Sequence, residues 1–373
     1  MTSASIIARC YKSLPLQFAF AAILRAVLIV VAAVQDHLAE VAYTDIDYRV
    51  FSEAAESVFL GDSPYSGRTP LLAAEATKYR YTPLLAYMLL PNVALHAAWG
   101  KVLFSVFDML AGLLLVRWLK AYCREGQEWL VPLGSAFWLF NPFVWTISTR
   151  GSWESTIVLV LYAMLDALHV QERIWLGAVL FGLAVHARIY PIVYAAPLLC
   201  HWWKQRCGKS FRDNLLQWLA IVIPFGTISA AVFMALLLAF TMAYGWDFVS
   251  QVYLHHAGRI DTQHNFSIYF YPMRFVPELS SLAVPVQILS CIVLGCRWTG
   301  LSQSPLPAMA VQSIAFVALS KVVTAQYFVW WVAVLPLALP WLVVDKLLAR
   351  ALLLWAGAEV HWLLWAYLLE FRK

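Results

Sequence analysis

The chain has 373 residues, of which 62% are hydrophobic and only 13% charged, and its mean hydropathy is +0.71. Soluble globular domains carry about a quarter of charged residues, so this composition excludes a soluble globular protein and leaves no room for a sizeable water-soluble domain. The net charge of +5 is spread over connectors between apolar runs, where basic residues orient a membrane protein. Nucleic-acid binding is therefore set aside, and we expect one integral membrane domain over residues 1–373.

Eleven apolar runs of the chain predict membrane spans, which makes the expected fold an all-α polytopic membrane protein. In chain order they are 16–34, 102–119, 130–147, 156–169, 175–186, 190–203, 218–243, 279–295, 306–320, 328–344 and 352–368. No internal repeat relates one half to the other, which disfavours a transporter built from two matching halves.

The N-terminus carries Arg9 and Lys12 before the first apolar run, which places it on the cytosolic side by the positive-inside rule. The stretch 83–99 is apolar but interrupted by Pro91 and Asn92, and we expect it to lie at the membrane interface as a helix. With this assignment, the short connectors that carry basic residues but few other polar or aromatic residues are cytosolic. Two lumenal loops follow, at about 35–101 and 244–278.

Polar residues beside a membrane are costly and commonly functional, and here they gather on the predicted lumenal side. The first block is Tyr43-Thr44-Asp45-Ile46-Asp47-Tyr48-Arg49, directly after the first span. In an extended segment its two carboxylates would point the same way and could hold a divalent cation, whereas on a helix they diverge. The spacing alone leaves both interpretations open.

Further blocks add cations, phenols and amides to the same predicted face. They are KYRYTPLL with Arg80 and Tyr81, STRGSWES with Arg150, HARIYP with Arg188, HNFS with His264 and Asn265, and SKVVTAQYF with Lys321 and Gln326. An arginine beside the membrane can hold a lipid phosphate through forked hydrogen bonds, and Arg188, between two apolar runs, must have a phosphate or carboxylate partner. The histidines of the 244–278 loop lack the spacing of metal ligands, so no metal site is predicted.

Taken together and in this order, YTDIDYRVF, GDSPY, KYRYTPLL, STRGSWES, HARIYP, HNFSIYFY and TAQYFVWW resemble the glycosylphosphatidylinositol (GPI) mannosyltransferase 1 family. The likeness runs from about residue 40 to residue 345. It implies a glycosyltransferase of the GT-C fold, with about 11 transmembrane helices, in the endoplasmic reticulum membrane. Its active site would be lumenal.

The resemblance also implies the reaction and its partners. The enzyme would transfer the first α1,4-linked mannose from dolichyl-phosphate-mannose to glucosaminyl-phosphatidylinositol, and it would work with a small noncatalytic membrane subunit. No cofactor is implied with certainty. A divalent cation bridging Asp45 and Asp47 is not favoured, because cationic side chains already suit the phosphate leaving group.

Such a transfer needs a carboxylate that takes the acceptor proton and a cationic cradle for the leaving phosphate. We expect Asp47 to be the general base and Asp45 to orient it or to bind the acceptor. Candidates for phosphate contacts are Arg80, Arg188, His264 and Lys321. Candidates for other substrate contacts are Tyr48, Tyr81, Arg150, Asn265 and Gln326.

Two other functions remain open from the sequence. One is a different transferase of the same fold that uses a dolichyl-phosphate sugar, in the assembly of N-glycan precursors. The other, less favoured, is a lipid or sugar transporter, which would also collect charges at one membrane face.

Overall fold

The structure is a computed structural model that describes residues 13–67, 69–74, 77–206, 211–255, 265, 267–343 and 345–372. Within these ranges the secondary structure is helical throughout and contains no strand. The chain is an all-α polytopic membrane protein, as its composition predicts.

Seventeen α-helices lie in the described residues. They are α1 (Leu14–Leu38), α2 (Ile46–Phe59), α3 (Pro70–Ala73), α4 (Pro83–Met88), α5 (Leu90–Ala94), α6 (Trp99–Tyr122), α7 (Leu130–Leu139), α8 (Pro142–Arg150), α9 (Glu154–His169), α10 (Ile174–Ala187), α11 (Ala195–Lys204), α12 (Phe211–Val249), α13 (Phe270–Phe275), α14 (Leu279–Leu301), α15 (Leu306–Ala318), α16 (Phe328–Ala338) and α17 (Lys346–Phe371). Short 3-10 turns span Tyr190–Tyr194, Ala325–Tyr327 and Leu339–Trp341, and a π-helical turn spans Ser250–Leu254.

By length and composition, 6 segments of the described chain could cross a membrane. They are Leu14–Leu38, Trp99–Tyr122, Leu130–Arg150, Phe211–Tyr244, Leu279–Leu301 and Lys346–Trp365, and each overlaps one predicted span. The other five predicted spans fall on shorter helical segments, so the number eleven stays a prediction.

The predicted interfacial stretch 83–99 does not form one continuous helix. It forms α4 with 6 residues and α5 with 5, and Pro91 lies in the first turn of α5, where its missing N–H costs nothing. A spanning helix needs about 20 residues, so neither helix can cross a bilayer by itself.

A buried ion pair joins the first helix to α6. Arg25 donates through Nε and Nη2 to Oδ2 of Asp108, at 3.3 and 3.2 Å, and through Nη1 to the carbonyl of Leu139 at 3.1 Å. The two side chains are 2% and 1% exposed. A charge at membrane depth requires such a partner, so Arg25, which interrupts the first apolar run, fixes α1 against the bundle.

Polar contacts gather at two opposite ends of the bundle. Where α1 ends and α6 begins, Lys101 donates to Thr44 and its Nζ lies 3.8 Å from Oδ2 of Asp36. At the far end of α6, Tyr122 donates to the carbonyl of His169 at 2.6 Å. We call the first of these ends, where α1 ends and α6 begins, the site end. The start of α9 and the end of α10 lie at the same end.

Candidate functional site

A cavity of about 370 Å³ opens at the site end. It lies between the 80–81 segment, the end of α10, the 3-10 turn that follows it, and the start of α16. Its wall combines cationic, aromatic and apolar side chains: Arg80, Tyr81, His186, Ala187, Arg188, Ile189, Tyr190, Ile192, Val193, Val252, Tyr253, Val284, Gln287, Ile288, Phe316, Ser320, Lys321, Val322, Tyr327 and Trp330. Three predicted phosphate-binding residues, Arg80, Arg188 and Lys321, are therefore brought to one cavity.

The arginine of the cavity wall has a buried carboxylate partner. Arg188 Nη2 lies 2.5 Å from Oε1 of Glu154, whose side chain is 0% exposed, and the indole Nε1 of Trp330 donates to the other carboxylate oxygen at 2.7 Å. Burial by itself would lower the pKa of Arg188, but the Glu154 carboxylate raises that pKa above its ordinary value. Arg188 thus carries a permanent positive charge at a fixed place in the wall.

Tyr81 joins this cation to the predicted general base. The Arg188 guanidinium lies over the Tyr81 ring, 4.8 Å from its centre, which is a favourable cation–π distance. The Tyr81 hydroxyl donates to Oδ2 of Asp47 at 2.8 Å. Burial, and then the nearby Asp47 charge, raise the pKa of Tyr81 well above its usual value, so the hydroxyl stays protonated as a donor.

Asp45 has a different environment from Asp47. Its side chain caps the N-terminus of α2 by accepting from the backbone N–H of Asp47 at 3.2 Å, and Arg150 Nη2 lies 3.8 Å from its Oδ2. Arg150 also donates through Nε to the carbonyl of Tyr43 at 2.9 Å. These contacts tie α2 to the end of α8.

The turn after Arg150 requires glycine. Gly151 has a φ of +95°, and a Cβ there would come within 2.2 Å of the Tyr48 ring. Tyr48 is 4% exposed and its hydroxyl donates to the carbonyl of Ala97 at 2.6 Å. Tyr48, a predicted substrate contact, is therefore buried against Gly151 and Ala97.

His186 at the end of α10 holds two further walls of the cavity together. Its Nε2 lies 2.8 Å from the hydroxyl of Thr82, and its Nδ1 lies 3.0 Å from the hydroxyl of Tyr253. The 78–82 segment and the π-helical turn are thus bound to the same imidazole.

Asn265 and Lys321 form one unit of the site. The Asn265 amide donates to the carbonyl of Lys321 at 2.6 Å and accepts from the backbone N–H of Val323 at 3.0 Å. Asn265 is 0% exposed, so its side chain shapes the loop that presents Lys321. Gln326 lies in the adjacent 3-10 turn, and the predicted residue His264 lies outside the described residues.

Several residues of this site were missing from the sequence prediction. Glu154 is the most informative of them. The helix dipole also favours a carboxylate at the start of a helix, so the position of Glu154 alone does not indicate a buried ion pair. Its actual partner is 34 positions away. The cost of a charge beside the membrane was the one signal that could have paired Glu154 with Arg188. Across the described residues, no group of three or more His, Cys, Asp and Glu side chains is placed to hold a metal ion.

An apolar groove of about 400 Å³ lies beside the cavity, between α10, α11 and α12. Ile192 lines both spaces. The polar side chain of the groove, Ser229, is already bonded to the carbonyls of Ala178 and Phe225. The groove reaches the outer surface of the bundle, where Met234 and Ile192 are 44% and 51% exposed.

The fold and the site therefore define a polytopic membrane protein with a cationic cavity at one end and a hydrocarbon-lined groove beside it. The family model described as Mannosyltransferase (PIG-M) matches residues 147–373. The chain belongs to this mannosyltransferase family.

Relatives match the chain along nearly its whole length. The "GPI alpha-1,4-mannosyltransferase I, catalytic subunit" of Danio rerio is 37% identical over 362 residues, which is 95% of this chain and 88% of the relative. The "GPI mannosyltransferase 1" of Schizosaccharomyces pombe is 36% identical over 358 residues, 93% of this chain and 91% of the relative. The Saccharomyces cerevisiae protein of the same name is 35% identical over 356 residues, 91% of this chain and 83% of the relative.

Proposed function

We propose that this chain transfers a mannosyl group from dolichyl-phosphate-mannose to glucosaminyl-phosphatidylinositol in α1,4 linkage, as the first mannose of a GPI anchor. The names of its relatives support mannose transfer in GPI-anchor biosynthesis. We place the reaction on the lumenal face of the endoplasmic reticulum membrane, which follows from the predicted orientation of the site end.

One geometric observation carries the mechanism. The Asp47 carboxylate and the ion-paired Arg188 guanidinium both contact Tyr81, which lines the cavity. Asp47 accepts from the Tyr81 hydroxyl and Arg188 lies over the Tyr81 ring. A general base and a cationic cradle for the leaving phosphate are the two groups that an inverting transfer from a lipid phosphate needs. Both contact Tyr81 here, and the ion pair with Glu154 fixes Arg188.

In the proposed reaction an acceptor hydroxyl oxygen attacks the anomeric carbon of the donor. The new C–O bond forms as the bond from that carbon to the phosphate oxygen breaks, and dolichyl phosphate leaves with the bonding pair. Asp47 takes the hydroxyl proton. Arg188, with Arg80 and Lys321 in the same wall, stabilises the charge that develops on the phosphate.

The apolar groove supports a lipid-linked donor. A hydrocarbon chain gains about 0.8 kcal/mol for each CH₂ group that it buries, and the groove shares Ile192 with the cationic cavity. A lipid whose phosphate lies in the cavity could therefore place its chain in the groove. A small noncatalytic membrane subunit is also proposed, in line with the words "catalytic subunit" in the name of the Danio rerio relative.

The test uses microsomes from cells that lack their own enzyme and express this chain, with dolichyl-phosphate-[³H]mannose and glucosaminyl-phosphatidylinositol. We expect a mannosylated acceptor lipid with the wild type and a loss of about 10²- to 10⁴-fold with Asp47→Asn. Asp213→Asn, an exposed aspartate at the start of α12, is the matched control and should retain activity.

Three results would contradict the proposal. Turnover by Asp47→Asn at the wild-type rate would rule out Asp47 as the general base. Labelling of a different dolichol-linked sugar lipid would favour a transferase of N-glycan assembly. Movement of intact donor across the membrane without a covalent product would favour a transporter.

A further inference from the structure

A closed cycle of contacts runs through Tyr81, Thr82, His186 and Arg188. Tyr81 and Thr82 are neighbours in the chain, and the Thr82 hydroxyl lies 2.8 Å from Nε2 of His186. Arg188 follows His186 by two residues, and its guanidinium lies over the Tyr81 ring, 4.8 Å from the ring centre. Asp47 is bonded to this cycle, since its Oδ2 accepts from the Tyr81 hydroxyl. The positions of the base and of the cation are therefore linked through His186.

The hydrogen bond between Thr82 and His186 is buried and held in place. The two residues are 0% and 1% exposed. Thr82 is the N-cap of α4, but its side chain makes no capping bond, and within the described residues its hydroxyl is bonded to His186 alone. The imidazole packs against Phe240, with ring centres 5.8 Å apart, and against Phe233 at 6.0 Å. These contacts fix the orientation of the imidazole.

Both ring nitrogens of His186 contact hydroxyl groups of the protein. While Nε2 contacts Thr82, Nδ1 lies 3.0 Å from the hydroxyl of Tyr253. A hydroxyl group can donate or accept, so a neutral imidazole with one donor and one acceptor nitrogen satisfies both bonds. Neither nitrogen is left to take a proton from a substrate, which indicates that His186 supports other groups of the site.

The hydrogen bond sets a narrower distance than the other contact of the cycle. Hydrogen bonds are directional and short, whereas a cation and an aromatic ring attract each other over separations up to about 6 Å. Without the bond to His186, Tyr81 would be free to shift over Arg188 and to carry its hydroxyl away from Asp47. Such a shift matters, because a misplacement of about 1 Å can lower an enzymatic rate about 10²-fold.

We propose that His186 is a positioning residue of the transfer reaction, which acts through Thr82 to set the place of the Tyr81–Asp47 pair relative to Arg188. This proposal rests on the proposed function. It assigns His186 no contact with either substrate, and it predicts an effect on the rate of the chemical step.

Thr82→Val is the direct test, because it removes one hydroxyl group and keeps the branched shape of the side chain. We expect kcat for mannose transfer to fall about 10- to 100-fold, while KM for the donor stays within about twofold, since the cations of the cavity wall remain. The microsomal assay measures both values when the donor concentration is varied. Thr82→Ser keeps the hydroxyl and should retain a kcat close to that of the wild type.

Thr299→Val is the matched control for the loss of a buried hydroxyl. Thr299 is also 0% exposed, and its hydroxyl donates to the carbonyl of Gly295 at 2.7 Å, but it lies near the end of α14 and outside the cycle. Its kcat and its KM for the donor should equal the wild-type values.

His186 gives a second pair of variants, which also serve if Thr82→Val does not fold. His186→Gln keeps a donor and an acceptor and should retain more of kcat than His186→Phe, which keeps an aromatic ring but neither nitrogen. Adding Thr82→Val to His186→Phe should lower kcat no further, because both changes remove the same bond.

Three results would overturn the proposal. They are a wild-type kcat in Thr82→Val, an equal loss of kcat in Thr299→Val, and losses that multiply when Thr82→Val and His186→Phe are combined. If the wild type itself transferred no mannose, the proposed function would fail instead.

Discussion

Asp45 and Asp47 are two residues apart in the chain, but the structure gives them different contacts. Asp45 caps α2 and faces Arg150, and Asp47 accepts from Tyr81 beside the cavity. The sequence pattern could not tell their roles apart. The difference between them is that Asp45 is the N-cap of α2 and Asp47 lies in its first turn. The cap position therefore gives Asp45 a contact with the helix backbone that Asp47 does not make.

Asp45→Asn should therefore retain most of the transferase activity. Asparagine is as good an N-cap as aspartate, and the ion pair with Arg150 that it loses is partly exposed, at 41% and 27%, so it contributes little. We expect mannose transfer within about threefold of wild type, measured in the microsomal assay. Asp45→Ala, which removes the cap, should cost about 1 kcal/mol of stability. A collapse of activity in Asp45→Asn, with folding intact, would assign Asp45 a direct role.

Glu154→Gln should destabilise the protein and weaken donor binding. Glutamine can still accept from Trp330, but it leaves the Arg188 guanidinium buried without its counter-charge, which costs about 3–5 kcal/mol. We expect a lower unfolding temperature in detergent and a higher KM for the donor. Asp166→Asn is the control, because Asp166 lies at the other end of the same helix and its partner Arg117 is 51% exposed.

A second variant separates stability from function at this pair. Glu154→Gln combined with Arg188→Gln leaves no unpaired buried charge and should regain much of the unfolding temperature. Donor binding should stay impaired, because the phosphate has lost its cation. Recovery of both properties in the double variant would show that Arg188 serves the fold alone.

At the scale of elements, apolar runs located the long helices but not the breaks within them. The predicted span 130–147 is divided into α7 and α8 at Asn141, whose side chain caps the second helix by accepting from Phe143 N–H at 3.0 Å. Hydropathy averages over such a break, because both halves are apolar. A second break follows at Gly151, whose left-handed conformation ends α8, and α9 begins three residues later at the buried Glu154.

Gly226 in α12 gives a test of the groove. A Cβ at this position would meet no atom within 4 Å, and Gly226 lines the groove, so Gly226→Leu places its side chain in that space. Leucine also raises helix propensity by almost 1 kcal/mol, which protects the fold. We expect about a tenfold increase in KM for a long-chain donor and little change for a donor with a short chain.

Gly357→Leu is the matched control for this change. Gly357 lies in α17, and a Cβ there would also meet no atom within 4 Å, but the residue does not line the groove. It should leave KM for both donors unchanged. Equal effects of the two substitutions, or none at Gly226, would place the lipid chain elsewhere.

At the scale of the whole molecule, the polar blocks that sequence reasoning assigned to one membrane face do gather at one end of the bundle. This could be anticipated because helices that cross a membrane alternate in direction. Pairings such as that of Arg188 with Glu154 could not be anticipated from the sequence, since they depend on how α9 and α10 pack. The side of the membrane on which this end lies is a separate question, which labelling can answer.

Glu40 and Glu125 are exposed glutamates that follow α1 and α6, at the site end and the opposite end respectively. Glu40→Cys and Glu125→Cys, each in a background without the 6 native cysteines, should react differently with a membrane-impermeant maleimide. In sealed microsomes we expect labelling at residue 125 alone, and labelling at residue 40 only after detergent is added. The reverse pattern would place the site end in the cytosol.

The apolar groove reaches the outer surface of the bundle through Met234 and Ile192, which are 44% and 51% exposed. In a bilayer this opening faces the acyl chains, so a lipid-linked substrate could arrive sideways without leaving the membrane. The encounter then becomes a search in two dimensions. Turnover would follow the mole fraction of donor among the lipids, and adding inert lipid at a constant total amount of donor would slow the enzyme.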